Sequence, residues 1–406
     1  MVKEQTEKMK QKNILTLTGV WTGVRPFFYE AKEDIAGMPA FYNVFKRLLD
    51  DERVNQVHLL LFVEGKEYMD KINIPQKYRE KLILYPYFFD PRSFFHSLWL
   101  FVKIIFVSYG IIKKQNIKEV AGFGSMAGLS ALIAKIAGIK DFRRLFGSFL
   151  INEINDTKFQ LFTKHPLEYL CFALSGKALL ITNDGTKGDI VFNKLGTPKL
   201  PFYFPLNGVD KKIEDNMEKP DFELPKQFLT YIARLDDWKR QHLLVEALGI
   251  LNKKGINIPI TYIIGAVTSI EHLNRIEKAI ADNCLTDKIF IIKGLPSKQV
   301  HYMMKHSLIS YSLYHTSNLG NVYLEALRIG TAMIALNDTD SLAQFPKNIY
   351  YEIRDSSAVT IAAATEDLLL NDLKREAIAT AAKKYAAEQI LDWEERAKME
   401  LDIILN

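Results

Sequence analysis

The stretch that decides the fold runs from Phe228 to Gly265 and reads FLTYIARLDDWKRQHLLVEALGILNKKGINIPITYIIG. It contains two short runs of aliphatic and β-branched residues, Phe228–Ala233 and Ile258–Ile264, which lack the alternation of a strand with one face in water. Between these runs, Gln241–Leu251 has apolar residues at helical spacing. Two continuously apolar strands joined by a helix predict parallel strands in a sheet that is covered on both faces.

The same alternation of strand and helix extends through the rest of the chain. Strands are predicted in the first half at Ile14–Thr18, Gln56–Phe62, Leu82–Tyr85, Val120–Phe123 and Ala178–Thr182, and in the second half also at Lys288–Ile292, Leu308–Tyr311 and Ala332–Leu336. Helical patterns between them include Pro39–Leu49, Ala127–Ala137, Ser269–Ala281 and Val322–Ile329. Two such series, one in each half, predict two doubly wound α/β domains rather than one barrel.

A break separates the two series. The strand-like Phe202–Phe204 leads into Pro205, a turn at Asn207–Asp210 and a polar stretch with two more prolines. We therefore place an N-terminal domain at residues 1–210 and a C-terminal domain at residues 211–389. The pattern ILDWEERAKMELDIIL predicts a last helix within residues 390–406, which is expected to return to the first domain because the second sheet is complete before it begins.

Composition excludes several classes of protein. Of the 406 residues, 25% are charged and 48% are hydrophobic, as in soluble globular proteins, and a net charge of +5 is too weak over this length to indicate a nucleic-acid partner. Cys171 and Cys284 lie outside any cysteine or histidine cluster, so neither a disulfide framework nor a structural zinc site is expected. The charged N-terminus predicts no secretory signal, and the chain is expected in the cytoplasm.

One apolar segment, Phe94–Ile112, approaches the length that spans a bilayer. It contains Lys103, which would be costly in the middle of a membrane, so we expect a buried or surface-lying helix instead. An exposed part of this segment, followed by Lys113 and Lys114, would attach the protein to the anionic inner face of the cell membrane.

Ligand-type residues follow the predicted strands of the second half, where doubly wound sheets bind their ligands. Arg234 and Lys239 come directly after Phe228–Ala233 and would form a clamp for a diphosphate, although a solvated helix start is an alternative. Gly265 and Gly294 end two further strands and would let a ligand approach the backbone closely.

A helix start follows the strand at Leu308–Tyr311. Ser317 and Asn318 are predicted as its N-cap residues, and the amides at Gly320 and Asn321 would attract an anion. Glu325, one turn further on, could accept both hydroxyl groups of a ribose. The alternative is a well-capped helix with a surface glutamate.

These residues carry a resemblance. The second half resembles the nucleotide-sugar domain of the family 4 glycosyltransferases, retaining enzymes with the GT-B fold, through ARLDDWK (233–239), YIIG (262–265), FIIKG (290–294) and SNLGNVYLEALRIGTAMIA (317–335). The first half resembles the family more loosely, through RRLFGSFL (143–150), TNDGTKGD (182–189) and the NGVD turn, and DWEERAKMELDII resembles its final helix. The resemblance implies two Rossmann-like domains that face a central cleft, with the last helix crossing back to the first domain.

The resemblance also implies roles for individual residues. Arg234 and Lys239 match the pair that neutralises the departing diphosphate, and Glu325 matches the glutamate that holds the ribose. The donor-binding set further comprises Ser317, Asn318, Gly320, Asn321, Val322, Gly265, Gly294 and, in the family's glycine-rich loop, Gly37. Two departures stand out. Ser317 replaces the family's first glutamate, which touches the transferred sugar, and Phe123–Ser125 lies where the family often has a histidine.

Together these observations predict a metal-independent, retaining hexosyltransferase without a cofactor. Its donor would be a nucleotide sugar, with uridine expected as the nucleoside, and it would bind the C-terminal domain. The acceptor, a saccharide or lipid-linked saccharide of surface polysaccharide or glycoconjugate synthesis, would bind the N-terminal domain. Asp338-Thr339-Asp340 has the spacing of a manganese site, but such a motif is common and no metal is expected. A catalytically inactive partner subunit, a sugar-nucleotide epimerase and a phosphorylase stay open as alternatives.

Overall fold

The computed structural model describes residues 11–33, 35, 38–90 and 92–406, which form two compact units. The first unit contains the chain up to Asn183, together with Lys187–Pro205 and Trp393–Asn406. The second unit contains Asp184–Thr186 and Leu206–Asp392. The chain passes to the second unit slightly before the boundary predicted after residue 210, and the C-terminal helix belongs to the first unit.

The first unit is built on a sheet of seven parallel strands, in the order β3-β2-β1-β4-β5-β6-β7. Its strands are β1 (Lys12–Gly19), β2 (Val54–Val63), β3 (Leu82–Phe88), β4 (Glu119–Phe123), β5 (Lys140–Leu145), β6 (Ala178–Ile181) and β7 (Phe202–Tyr203). Its helices are α1 (Arg25–Tyr29), α2 (Pro39–Asp50), α3 (Lys66–Met69), α4 (Phe94–Lys114), α5 (Ala127–Ala137), α6 (Lys158–Lys164), α7 (Pro166–Ala173), α8 (Gly188–Leu195) and α15 (Trp393–Leu405).

Alternate residues of the central strands face different helices. Ile14 packs with α2 and α15, whereas Leu15 and Leu17 pack with α4 and α5. Both faces of β1 are therefore buried, and Thr16 and Thr18 are buried together with the leucines.

Strand β5 was not predicted, because its sequence, KDFRRL, is rich in charge. The structure buries these charges in pairs. The carboxylate of Asp141 accepts hydrogen bonds from Arg143 on the same strand, and Arg144 donates from Nε to Glu400 of α15 at 2.8 Å. Buried ions are tolerated only when they are paired in this way. The partner of Arg144, Glu400, is far away in the sequence.

The second unit repeats the plan with six parallel strands in the order β10-β9-β8-β11-β12-β13. Its strands are β8 (Phe228–Ile232), β9 (Ile260–Ile264), β10 (Ile289–Ile292), β11 (Ile309–Ser312), β12 (Met333–Leu336) and β13 (Tyr351–Ile353), and its helices are α9 (Gln241–Lys253), α10 (Ile270–Asp282), α11 (Ser297–His306), α12 (Asn321–Ile329), α13 (Ala358–Leu370) and α14 (Asp372–Gln389). Helices α9, α10 and α13 cover one face of the sheet, and α11, α12 and α14 cover the other.

Strand order reverses between β1 and β4 in the first unit, and between β8 and β11 in the second. Ligands of doubly wound sheets bind at such a reversal, beyond the carboxyl ends of the strands. The predicted α/β class is therefore present in both units, and β8 and β11 position the loops that carry Arg234, Lys239 and the start of α12. All ten predicted strands are present, and their observed ends differ from the predicted ones by no more than two residues, except that β3 is three residues longer. Strands β5 and β13 were not predicted.

Helix α4 lies on the surface of the first unit. Leu100, Ile104 and Ile112 are buried against β1, β2, β4 and α5, while Phe95 and Trp99 lie on the opposite, exposed face. Among the described helices, the window Phe95–Lys114 alone is long and apolar enough to cross a membrane by length and composition, and 22% of it is buried. The expectation of a surface-lying helix agrees with this packing.

Candidate functional site

Two loops meet at the carboxyl edge of the second sheet, where strand order reverses. One follows β8 and carries Arg234, Trp238 and Lys239, and the other follows β11 and leads to α12. The amide of His315 in the second loop donates to the carbonyl of Trp238 in the first at 3.0 Å. This bond keeps the predicted diphosphate clamp beside the start of α12.

The main chain of Arg234 is fixed by a hydrogen bond, whereas its side chain is largely exposed. Its carbonyl accepts a hydrogen bond at 2.8 Å from the buried Gln241, whose own side-chain oxygen lies 2.7 Å from Nε2 of His272. Its guanidinium is 58% exposed, 3.5 Å from the carboxylate of Asp236 and 5.9 Å from the ring centre of Trp238. The side chain is thus oriented by weak contacts and accessible to an anion.

Lys239 is buried between two aromatic rings. Its ammonium lies 3.9 Å from the ring centre of Trp238 and 3.5 Å from that of Tyr314. Burial, followed by the charge of Arg234, lowers the pKa of Lys239 to about 7. Among the residues that the structure describes, the ammonium has no hydrogen bond or salt bridge, so an incoming anion would supply the opposite charge that it lacks.

Helix α12 begins at Asn321, and its N-cap is Gly320, without a capping side chain. The prediction that Ser317 and Asn318 cap this helix is therefore wrong. Both residues come before Gly320, and Ser317 has a left-handed backbone conformation with φ of 54°. They shape the turn that leads into the helix.

The side chains of this turn bind other parts of the second unit. Ser317 donates its hydroxyl to Asp184 at 3.0 Å. Asn318 is buried, donates to the carbonyl of Leu336 at 3.1 Å and accepts from Ser341 at 2.7 Å. The side chain of Asn318 therefore holds the loop in place. At the start of α12, a ligand would bind the backbone and not this side chain.

Backbone amides at the start of α12 are available to an anion. The carbonyl of Gly320 accepts from Tyr323 at 3.1 Å and from Leu324 at 3.3 Å, which closes the first turn. The amides of Gly320, Asn321 and Val322 have no hydrogen-bond acceptor in the described part of the chain. Such amides, together with the helix dipole, favour a negatively charged group.

Glu325 lies one turn into α12 and is partly buried. Its carboxylate is 3.4 Å from Nε2 of His301 on α11. His301 was not predicted, because a histidine inside an ordinary helical pattern gives no signal of its partner. Glu325 is therefore neither a free surface residue nor closed off from a ligand.

The predicted glycines differ in what they do. A Cβ atom on Gly265 would lie 1.8 Å from the carbonyl oxygen of Ala233, so the neighbouring backbone, rather than a ligand, requires this glycine. Gly294 has φ of 130° and open space beside it, so its backbone conformation requires glycine. Gly37 lies outside the described residues.

The two carboxylates of the Asp338–Asp340 motif bind arginines. Asp338 is 3.2 Å from Arg240, which also lies 2.9 Å from His315, and Asp340 is 2.9 Å from Arg354. No group of three or more His, Cys, Asp or Glu that could hold a metal ion occurs in residues 11–33, 35, 38–90 and 92–406. The expectation of a metal-independent protein stays a prediction.

Asp184, which lies in the TNDGTKGD stretch, is a further residue at this edge, and the sequence pattern predicts no role for it. Its Oδ1 accepts from the amide and the hydroxyl of Thr186 at 3.0 and 2.6 Å, and its carbonyl accepts from the amide of Leu319 at 3.0 Å. Burial raises the pKa of Asp184.

Comparison with known proteins matches residues 212–385 to the family described as Glycosyl transferases group 1. This part of the chain, somewhat less than half of it, is therefore similar to the group 1 glycosyltransferases. The matched range lies within the second unit and contains the predicted site residues that the structure describes, whereas Asp184 lies outside it. No curated protein matches the chain.

Solved structures extend the similarity over both units. Sucrose-phosphate synthase from Thermosynechococcus elongatus is 12% identical, with a TM-score of 0.68 over 97% of this chain and 98% of that one. Anabaena HepE in complex with UDP and glucose is 13% identical, with a TM-score of 0.67 over 96% and 99%. WaaG, a glycosyltransferase involved in lipopolysaccharide biosynthesis, is 16% identical, with a TM-score of 0.63 over 97% and 99%. The predicted GT-B fold and the glycosyltransferase resemblance are confirmed, while the family 4 subdivision and the roles of single residues stay predictions.

Proposed function

We propose that this protein transfers a sugar from a uridine nucleotide sugar to a saccharide or lipid-linked saccharide, with retention of the anomeric configuration and without a metal ion. The proposal rests on two cationic side chains and a set of free backbone amides at the same edge of the second sheet. Arg234 and Lys239 follow β8, and the amides of Gly320–Val322 lie at the start of α12, whose preceding loop is bonded to the loop after β8.

The chemistry follows from charge. When the bond between the sugar and the diphosphate breaks, negative charge develops on the leaving diphosphate. Arg234 can bind it with a planar pair of donors, and Lys239 can bind it as a point charge at short range. The helix amides add fixed dipoles that need no rearrangement during the reaction. Attack of the acceptor on the face that the diphosphate leaves would retain the anomeric configuration.

Uridine is proposed as the nucleoside because HepE has been solved with UDP. Glu325 would accept the ribose hydroxyl groups, since it lies one turn beyond the phosphate-binding amides on the same helix. His301, 3.4 Å from its carboxylate, would orient it.

A lipid-linked acceptor at the inner face of the membrane is supported by one surface of α4. We define the α4 surface by its exposed apolar residues: Phe95, Leu98, Trp99, Val102, Phe106 and Tyr109. Phe95 is 83% exposed and Phe106 is 74% exposed. Lys103, Lys113 and Lys114 are exposed on the same helix, which contains no acidic residue. An apolar surface of this kind with only positive charge suits anionic lipid.

Calorimetry tests the donor site. Wild-type protein and Arg234→Ala would be titrated with UDP, GDP, ADP and their common sugar conjugates. The expected result is micromolar binding of UDP and of a UDP-sugar, with loss in the variant. Absence of binding to any of these nucleotides by folded protein would overturn the proposal and favour an inactive partner subunit.

Product analysis tests the reaction. A transferase leaves the UDP-sugar intact until an acceptor is added, and then releases UDP together with a glycosylated product. Conversion of the sugar without any acceptor would instead identify an epimerase, and a requirement for free phosphate would identify a phosphorylase.

A further inference from the structure

The segment Asp184–Thr186 is seated on the turn that precedes α12. Ser317 donates its hydroxyl to Oδ2 of Asp184, and the amide of Leu319 donates to the carbonyl of Asp184, both at 3.0 Å. A Cβ atom on Gly185 would lie 2.5 Å from the side-chain oxygen of Asn318. This contact explains why glycine, with φ of 94°, is needed beside Asp184.

The Asp184 carboxylate is held by its neighbours but retains part of its capacity to accept hydrogen bonds. A carboxylate offers about four acceptor positions. Thr186 fills two of them at Oδ1 and Ser317 fills one at Oδ2, so in the described residues one position on Oδ2 is unfilled. The pKa of Lys239 is lowered by burial, and the negative charge of Asp184 opposes this lowering slightly.

Asp184 contacts the turn that leads to the free amides of α12, and its negative charge would repel a diphosphate bound there. Beyond holding the turn, a carboxylate here suits a part of the donor that carries hydroxyl hydrogens. The sugar joined to the second phosphate is the neighbouring group with such hydrogens. Ser317 has no charge of its own, but its hydroxyl donates a hydrogen bond to the negatively charged Asp184.

We propose that Asp184, oriented by Ser317 and Thr186, accepts hydrogen bonds from hydroxyl groups of the transferred sugar and thereby contributes to donor specificity. This inference rests on the proposed function. The acidic group of the sugar site would thus come from a segment 133 residues away from Ser317.

Three variants test the assignment: Asp184→Asn, Ser317→Glu and the double variant Asp184→Ser/Ser317→Glu. Binding of UDP is compared with that of UDP-glucose, UDP-galactose and UDP-N-acetylglucosamine, and kcat/KM is measured for whichever sugar wild type uses. We expect Asp184→Asn to lower kcat/KM and sugar-nucleotide affinity by about 10- to 100-fold, the size of a lost charged hydrogen bond, and to leave UDP affinity within about twofold.

The double variant separates a sugar contact from a structural role. Ser317→Glu alone places two carboxylates together and is expected to lose activity through repulsion. Moving the charge to position 317 in the double variant is expected to recover kcat/KM to within about tenfold of wild type. Asp338→Asn, which removes another carboxylate from the same sheet edge, serves as the control and should leave sugar-nucleotide discrimination unchanged.

Two results would overturn the inference. One is an equal loss of UDP and UDP-sugar affinity in Asp184→Asn, which would mean that Asp184 only shapes the turn. The other is unchanged kcat/KM in that variant. Failure of wild type to bind UDP is a different result, because it contradicts the proposed function itself.

Discussion

At the scale of single residues, Lys239 combines burial with the absence of an anionic partner. The aromatic rings of Trp238 and Tyr314 partly stabilise its ammonium, but they replace water and no carboxylate contacts it in the described chain. Burial therefore lowers the pKa of Lys239, and a bound diphosphate would raise this pKa again by favouring the ammonium form.

Removing either cation should slow the reaction. Arg234→Ala or Lys239→Ala is expected to reduce turnover by about 10²-fold or more, the effect of losing one preorganised charge partner of the leaving group. Steady-state rates with the donor found by calorimetry provide the measurement. Lys347→Ala, which changes an exposed lysine of the same unit, is the matched control. Near-normal rates in both site variants would contradict the assignment.

The pKa of Lys239 predicts how UDP binding depends on pH. Because the free protein loses this proton above about pH 7 and the bound diphosphate favours the ammonium, UDP affinity should fall as pH rises from 7 to 9. Proton uptake on binding should accompany the fall, and titrations in two buffers of different ionisation enthalpy would measure it. Lys239→Arg keeps its charge throughout this range, so its affinity should stay nearly flat. The same slope in both proteins would show that another group titrates.

At the scale of elements, the end of β9 is packed against the end of β8 so closely that only glycine fits. Gly265→Ala would place its Cβ atom 1.8 Å from the carbonyl oxygen of Ala233, and the backbone there cannot move without shifting Arg234. We expect a loss of about 1–3 kcal/mol in the stability of the second unit, typical of overpacking, together with weaker UDP binding. Denaturant unfolding and calorimetry measure the two effects. Unchanged stability would show that the strand ends separate easily.

The α4 surface makes an independent prediction. Phe95→Ser/Trp99→Ser/Phe106→Ser should lose flotation with vesicles that contain anionic phospholipid, because it removes the exposed apolar side chains and leaves the buried face intact. Ile270→Ser/Val359→Ser/Leu373→Ser, which removes three exposed apolar residues of the other unit, is the control and should float like wild type. A wild-type protein that stays in solution with such vesicles would remove the support for a membrane-attached acceptor.

At the scale of the whole molecule, the C-terminal helix completes the first unit. Glu400 of α15 is buried and pairs with Arg144 of β5 at 2.8 Å and with Arg396 of its own helix at 2.5 Å. Glu400→Ala would remove the carboxylate that Arg144 contacts in the core, and we expect a loss of about 3–5 kcal/mol in the stability of the first unit. Lys398→Ala, which breaks an exposed pair with Asp402, should cost about 0–1 kcal/mol. Hydrogen exchange in α2 and α15 would locate the effect, and equal protection in the two variants would contradict it.

Sequence by itself determined the succession of buried strands and helices, the two-sheet plan and the strand ends that carry Arg234 and Lys239. Each of these depends on the spacing of apolar residues over a few positions, so a short stretch of sequence is enough to predict it. Tertiary structure alone decided the rest. Arg144 of strand β5 has its partner in α15, and the hydroxyl of Ser317 binds Asp184 and caps no helix. These contacts join residues more than a hundred positions apart, and no local pattern records such a pairing.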